Sequence, residues 1–117
     1  MLFDTDGNVL MSFGSGKIIW PHGMYVDADD NSWMADAVRY APMPDGVGHT
    51  VMKFSPHGEL LMTLGKEGVV GDGNDVFNKP SDMLVAPNGD IFVADGHDAG
   101  GNNRIVKFDK DGNYLLQ

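Results

Sequence analysis

One four-part pattern occurs more than once along this chain, and it restricts the fold more than any other feature. From Pro80 the sequence reads Pro-Ser-Asp-Met-Leu-Val-Ala, a Pro-Asn-Gly-Asp turn, Ile91-Phe-Val-Ala-Asp95 and a Gly/Asn-rich loop. It continues with Arg104-Ile-Val-Lys-Phe108, an Asp-Lys-Asp-Gly-Asn turn and Tyr114-Leu-Leu-Gln117. Four short runs rich in Val, Ile, Leu and Phe, each bounded by turn residues, predict a four-stranded antiparallel meander. No run is long enough, or periodic enough at 3.6 residues, to predict a helix.

The same text returns upstream. Phe108-Asp-Lys-Asp-Gly112-Asn113 matches Phe54-Ser-Pro-His-Gly58-Glu59 and Phe3-Asp-Thr-Asp-Gly7-Asn8. Pro21-His22-Gly23-Met24-Tyr25-Val26 aligns with Pro80-Ser81-Asp82-Met83-Leu84-Val85, and Trp33-Met-Ala-Asp36 with Phe92-Val-Ala-Asp95. A period of roughly 40–50 residues with four strands per unit is the signature of a β-propeller. The fold class is therefore all-β: a propeller segment of about two and a half four-stranded antiparallel blades. Residues 1–19 are expected to form half a blade, and 20–65 and 78–117 a blade each. Because a propeller ring needs four to eight blades, the expectation is a piece of a longer propeller or a protomer completed by other copies. Open strand edges otherwise invite aggregation.

Composition narrows the partners. Eight Lys and Arg stand against 17 Asp and Glu, a formal charge of −9. Such a surface repels phosphate, so nucleic acid and anionic membrane are excluded as expected partners, whereas cationic groups or a small-molecule or peptide ligand suit it better. There is no cysteine and hence no disulfide. No run reaches transmembrane length, and the opening Met1-Leu-Phe-Asp lacks the basic and apolar regions of a signal peptide.

Loop lengths point to one face. The turns within strand pairs one–two and three–four are tight: 28–31, 55–59, 87–90 and 109–113. The long segments 37–49, 65–79 and 96–103 all fall at the opposite end, where loops held by a rigid scaffold carry function. That end holds the ligand-face candidates Arg39, Tyr40, His49, Asp82, Asp98 and Arg104. It also holds His22, at the start of a first strand beside the channel, and His97, at the end of a second strand. Imidazole is the commonest metal ligand and transfers protons near neutrality, yet His22 fits a hydrogen-bonded channel residue equally well, and His97 fits a solvated loop residue better than a proton-transferring one. Asp36 and Asp95 close the second strands of both repeats and are expected to anchor loops by accepting N–H bonds or pairing with Arg104. The Asp-x-Asp-Gly-Asn runs imitate a calcium loop, but strands flank them and position 12 of the first is Ser15, so they are expected to be turns.

The residues quoted above resemble NHL-repeat blades. Pro21-His22-Gly23-Met24-x-Val26-Asp27 with Asn31-Ser-Trp33-Met-Ala-Asp36 is similar to one blade. Lys79-Pro80-Ser81-Asp82-Met-Leu-Val through Asp95-Gly96 to Asn103-Arg104-Ile-Val-Lys-Phe108 is similar to the next. Within that family the likeness is to the peptidylglycine α-hydroxyglycine (peptidylamidoglycolate) lyases, covering about the second and third of six blades. The resemblance implies zinc held by three histidines that each follow a proline, of which His22 matches one. It also implies an axial calcium with the carbonyl of Met24 as a ligand. The family's catalytic tyrosine follows an Asp-Gly pair, and here that place is His97, a departure. The other two histidines and the arginines of the site have no match in the chain. The expected function is a binding or scaffold module that assembles with other copies or further blades. The alternative is a zinc-dependent carbon–nitrogen lyase active only in a completed propeller.

Overall fold

The computed structural model describes residues 1–37, 46–97 and 99–117. Among the described residues, ten strands make three antiparallel sheets. A hairpin, β1 (Leu2–Phe3) and β2 (Val9–Met11), is followed by β3 (Pro21–Val26), β4 (Ser32–Asp36), β5 (Thr50–Phe54) and β6 (Leu60–Leu64), in the spatial order β3-β4-β5-β6. The third sheet repeats that meander with β7 (Pro80–Val85), β8 (Ile91–Asp95), β9 (Arg104–Phe108) and β10 (Tyr114–Leu116). Strands two to four of the first full repeat begin and end where the sequence pattern puts them. The first strand begins at Pro21, which pairs with Asp36 across an irregular step. Proline is tolerated there as the first residue of a strand. No helix of the described residues is long and apolar enough to cross a membrane.

The short turns obey a side-chain rule. The Asp4 carboxylate accepts the backbone N–H groups of Asp6 (3.0 Å) and Asn8 (2.8 Å) and the Asn8 amide (2.9 Å). Asp109 does the same with Asp111 and Asn113, and Asp27 with Asp29 and Asn31. These runs are Asx turns. Their carboxylates are committed to the turn's own N–H groups, which is why the calcium-like spelling recurs at hairpins. Asp27 has a further donor, the Trp33 indole at 2.9 Å. Burial pulls its carboxyl up, but Trp33, Asn31 and the turn N–H groups outweigh that and bring it down to about 2.

The core is the seam between the two full sheets. Period-2 alternation puts Tyr25, Trp33, Ala35, Val51 and Leu64 on one face of the first sheet, in register with one another. Against them stand Met83, Ile91, Val93, Val106 and Phe108 of the second sheet, and both sets belong to one buried cluster with Phe77. The other face of the first sheet buries Met52 and Phe54, with Phe13 lying 5.3 Å from the Phe54 ring. The corresponding face of the second sheet is open: Leu84 and Ile105 are exposed.

Buried polar groups close the seam at the end that carries the long loops. Asp36, fully buried, accepts the N–H groups of Ile19 (3.1 Å) and Trp20 (2.6 Å). Burial pushes its carboxyl up, and those two N–H bonds oppose the rise. At the matching place Asp95 accepts Asn78 N–H (2.7 Å), the Asn102 amide (2.7 Å) and Arg104 Nε (2.8 Å). The aspartates were expected to anchor the loop after their own strand. Asp95 does so, pairing with Arg104 and holding Asn102 of its own loop. It also holds Asn78 ahead of the first strand, whereas the Asp36 carboxylate holds Ile19 and Trp20, the segment leading into the first strand. Arg104 also donates to the carbonyls of Asp72 (2.6 Å), Gly73 (2.9 Å) and Val76 (3.0 Å), so it clasps the 65–79 connection.

His49 is buried in the same seam, and its Nδ1 accepts the Lys79 N–H at 3.2 Å. Burial holds its pKa below the ordinary 6.5; the Asp95 charge works against this and Lys79 with it. The folded chain therefore keeps the ring neutral where the unfolded chain takes up a proton, so stability falls as pH drops below about 6.5. Asn at this position tolerates the observed φ of 57° and keeps an acceptor oxygen. In urea titrations, His49→Asn should flatten the loss of stability between about pH 7 and about pH 5. Phe108→Ala, emptying the seam beside Phe77, should cost about 3–5 kcal/mol, while Leu84→Ala on the open face should change stability by about 0.5 kcal/mol or less.

Candidate functional site

The first strands β3 and β7 lie side by side, and each carries a β-bulge near its start. Pro21 and Met24 oppose Asp36 and Met34, and Pro80 and Asp82 oppose Asp95 and Ala94, so each first strand has one residue more than its partner. Bulges re-aim side chains, and they are over-represented next to active sites. Here they fall at His22-Gly23 and at Ser81, aligned positions of the two repeats.

Gly23 lets the two bulged strands approach. A Cβ on it would stand 2.5 Å from Asp82 Oδ1 and 2.6 Å from the Ser81 carbonyl oxygen, closer than real atoms pack. The close approach brings His22 Nδ1 to 2.9 Å from that carbonyl. A carbonyl only accepts, so the bond puts the proton on Nδ1 and leaves Nε2 with a free lone pair pointing away from the bond. Second-shell carbonyls orient metal-binding histidines in the same way.

His97 follows Gly96, whose φ of 150° suits glycine, and its ring lies 4.3 Å from that of His22, tilted by 63°. Ser81 joins the two histidine-bearing segments: its backbone oxygen holds His22, while its hydroxyl, with one proton to give, lies within donor reach of the carbonyls of Gly96 (3.1 Å) and Ala94 (3.3 Å). Lys79 Nζ and the Asn78 amide tie down the loop beyond, at the carbonyls of Ala99 (3.2 Å) and Gly100 (2.7 Å).

The candidate residues thus divide into groups. His22, His97 and Asp82 come together at the first strands. Met24 lies two residues beyond His22 in β3, its side chain exposed and its backbone paired with Met34. His49 and Arg104 are structural members of the seam, their polar atoms taken by Lys79, Asp95 and the 65–79 connection. Arg39, Tyr40 and Asp98 lie outside the described residues. Sequence reasoning passed over Ser81 because serine at the histidine position reads as a missing ligand. Its alignment with His22 in the repeat was the available signal, since aligned residues of neighbouring blades are neighbours in space.

The donor set fits a metal in part. His22 presents an oriented nitrogen, but among the described residues no group of three or more His, Cys, Asp or Glu could hold a metal ion. A larger cavity, about 570 Å³, opens at the opposite end between the tight turns, lined by Tyr25, Trp33, Lys53 and Val85 among others. It lies away from both histidines, and its lining includes Asp27 and Lys53, an ion pair at 3.5 Å. Gly23→Ala should force β3 and β7 apart, break the His22–Ser81 bond and shift the His22 and His97 imidazole resonances, while Gly73→Ala, whose Cβ would meet nothing nearer than Val76 Cγ2 at 3.5 Å, should leave them in place.

The NHL repeat family matches residues 77–108, which span Phe77 to the end of β9. Over 117 residues the chain is 36% identical to a probable peptidyl-alpha-hydroxyglycine alpha-amidating lyase of Caenorhabditis elegans, covering 99% of this chain and 30% of that protein. It is 36% identical to peptidyl-alpha-hydroxyglycine alpha-amidating lyase 1 of Drosophila melanogaster over 94% of this chain and 18% of the fly protein. It is 34% identical to NHL repeat-containing protein 3 of Mus musculus over 95% of this chain and 31% of the mouse protein. The chain spans about a third or less of the length of these relatives. The chain is all-β, built of repeated four-stranded meanders consistent with part of a propeller, carries an NHL repeat at residues 77–108, and is similar along nearly its whole length to amidating lyases and to NHL repeat-containing protein 3.

Proposed function

We propose that this chain is a ligand-binding section of an NHL propeller and that it contributes one side of an amidating-lyase-type site. The site is finished by further blades or by other copies of the chain. The observation that carries this reading is the pair of histidines from neighbouring blades, His22 oriented by the Ser81 carbonyl and His97 at 4.3 Å from it. The likeness to relatives named as amidating lyases supports it.

On a peptidyl-α-hydroxyglycine, the reaction those names describe breaks the bond between the amide nitrogen and the hydroxyl-bearing carbon. The hydroxyl loses its proton, its oxygen forms a double bond to carbon, and the nitrogen leaves with the bonding pair and takes up a proton. The products are a peptide amide and a two-carbon aldehyde acid. His22, with Nδ1 committed to Ser81, would offer Nε2 as one ligand to zinc, which when bound supplies polarisation of the hydroxyl. His97 would take a proton from the hydroxyl or give one to the leaving nitrogen. Ser81 holds the His22 ring through its carbonyl and the backbone just before His97 through its hydroxyl. A calcium ligated through the Met24 carbonyl belongs to the same reading, as does association between copies.

A scaffold role without chemistry is the second reading, favoured by the mouse relative whose name records repeats alone. A chimera separates the two. This chain would replace the matching segment of the nematode lyase, and turnover of a peptidyl-α-hydroxyglycine would be measured beside the parent enzyme. Turnover that falls at least about a hundredfold in His22→Ala supports the lyase reading. A folded chimera without turnover supports the scaffold.

A further inference from the structure

We propose that the cleft between the two full blades, at their tight-turn end, binds a monocarboxylate with an apolar or aromatic body, held by Lys53. This chain forms the cleft by itself, at the end of the blades opposite the histidines, so the site does not depend on the lyase reading.

The repeat supplies the comparison that singles out Lys53. Lys53 faces Trp33 across β4 and β5, and Lys107 faces Phe92 at the matching place across β8 and β9. Each ammonium lies over its ring, at 5.1 Å and 5.4 Å from the centroid. Lys107 is completed by Asp90 at 2.7 Å, the length of a direct charge-assisted bond. The residue aligned with Asp90 is Asn31, and its amide is spent on Asp27. Among the described residues Lys53 pairs with Asp27 alone, at 3.5 Å, too far for such a bond. That carboxylate is already well supplied. It accepts from the Trp33 indole (2.9 Å), from the N–H groups of Asp29 and Asn31 (3.0 Å each) and from the Asn31 amide (3.1 Å). Lys53, its side chain only 23% exposed, therefore has donors to offer where a second acceptor would offset its burial.

The cavity beside it selects the kind of anion. At about 570 Å³ it has the size of a small-molecule site rather than that of a simple ion. Tyr25, Trp33, Val85 and Pro87 give it apolar walls, which favour a ligand with an apolar body. Asp27 and Asp29 also line it, so a dianion such as a phosphate monoester is repelled more than a single carboxylate. Lys110 adds a second positive charge, but it is exposed and already paired with Asp111, so its contribution is the smaller one. Charges farther away than a Debye length of about 8–10 Å are largely screened, so these local groups decide the preference in spite of the acidic balance.

The test is an NMR titration of the isotope-labelled 117-residue chain. Phenylacetate stands for free organic acids, and N-acetyl-glycyl-phenylalanine for the C-terminus of a peptide. The Trp33 indole N–H and the backbone amides of Val85 and Gly89 are the reporters. Saturable shifts at these groups are expected, with phenylacetamide, which keeps the ring and loses the charge, binding at least about tenfold more weakly than phenylacetate. Lys53→Met should weaken phenylacetate about tenfold, whereas Lys107→Met, the matching change in the second blade, should leave the affinity unaltered. Binding of either acid on these terms supports the proposal, and the tighter of the two identifies the source of the carboxylate. Shifts that do not saturate with either acid, or equal affinity for phenylacetate and phenylacetamide, would overturn it, and that comparison needs no variant. Unchanged affinity in a folded Lys53→Met chain would overturn it as well.

Discussion

The structure depends on buried carboxylates at the seams. Asp95 is 1% exposed and would be costly there as an uncompensated charge. Its charge is met by Arg104, the Asn102 amide and the Asn78 N–H, which come from two separate stretches of chain. Removing one partner of such a buried pair leaves the other stranded, at a cost of about 3–5 kcal/mol. This single group sets where the 65–79 connection ends, where β7 begins and how the second blade's long loop is held. Asp36 does the same for the segment leading into β3, with backbone N–H groups alone.

From that anchoring follows the position of the first strands. Both start from a segment fixed by an aspartate, both bulge within three residues, and Gly23 lets them come into contact. The histidine pair is a product of this repetition. One imidazole comes from the first strand of one blade and the other from the end of the second strand of the next, so neither blade alone carries the arrangement. A change at the blade seam therefore reaches the site even where it touches neither ring.

The acidic balance has a local explanation as well. Asp4, Asp27 and Asp109 each close a hairpin by accepting turn N–H groups, and the same amides hold their carboxyls below the ordinary range. For Asp4 and Asp109 the Asn side chain is the largest influence; for Asp27 burial opposes the donors and is overcome. Part of the charge of −9 is thus turn architecture at the plain end of the blades, away from the histidines.

The amino-acid sequence by itself determined the strands, their order and their repeat, because turn residues and period-2 apolar runs act over a few residues. It also marked His22 and His97 as residues at the loop-rich end, through their places in the repeat. Tertiary structure decided which polar groups meet. Whether His49 and Arg104 face a ligand or seal a seam depends on contacts with Lys79 and with the 65–79 connection, far away in sequence. The meeting of His22 with His97, through Ser81, required two bulged strands to be laid side by side, and the spacing that permits it is set by a missing Cβ at Gly23. Local chemistry writes the blades, and the distance between blades decides the site.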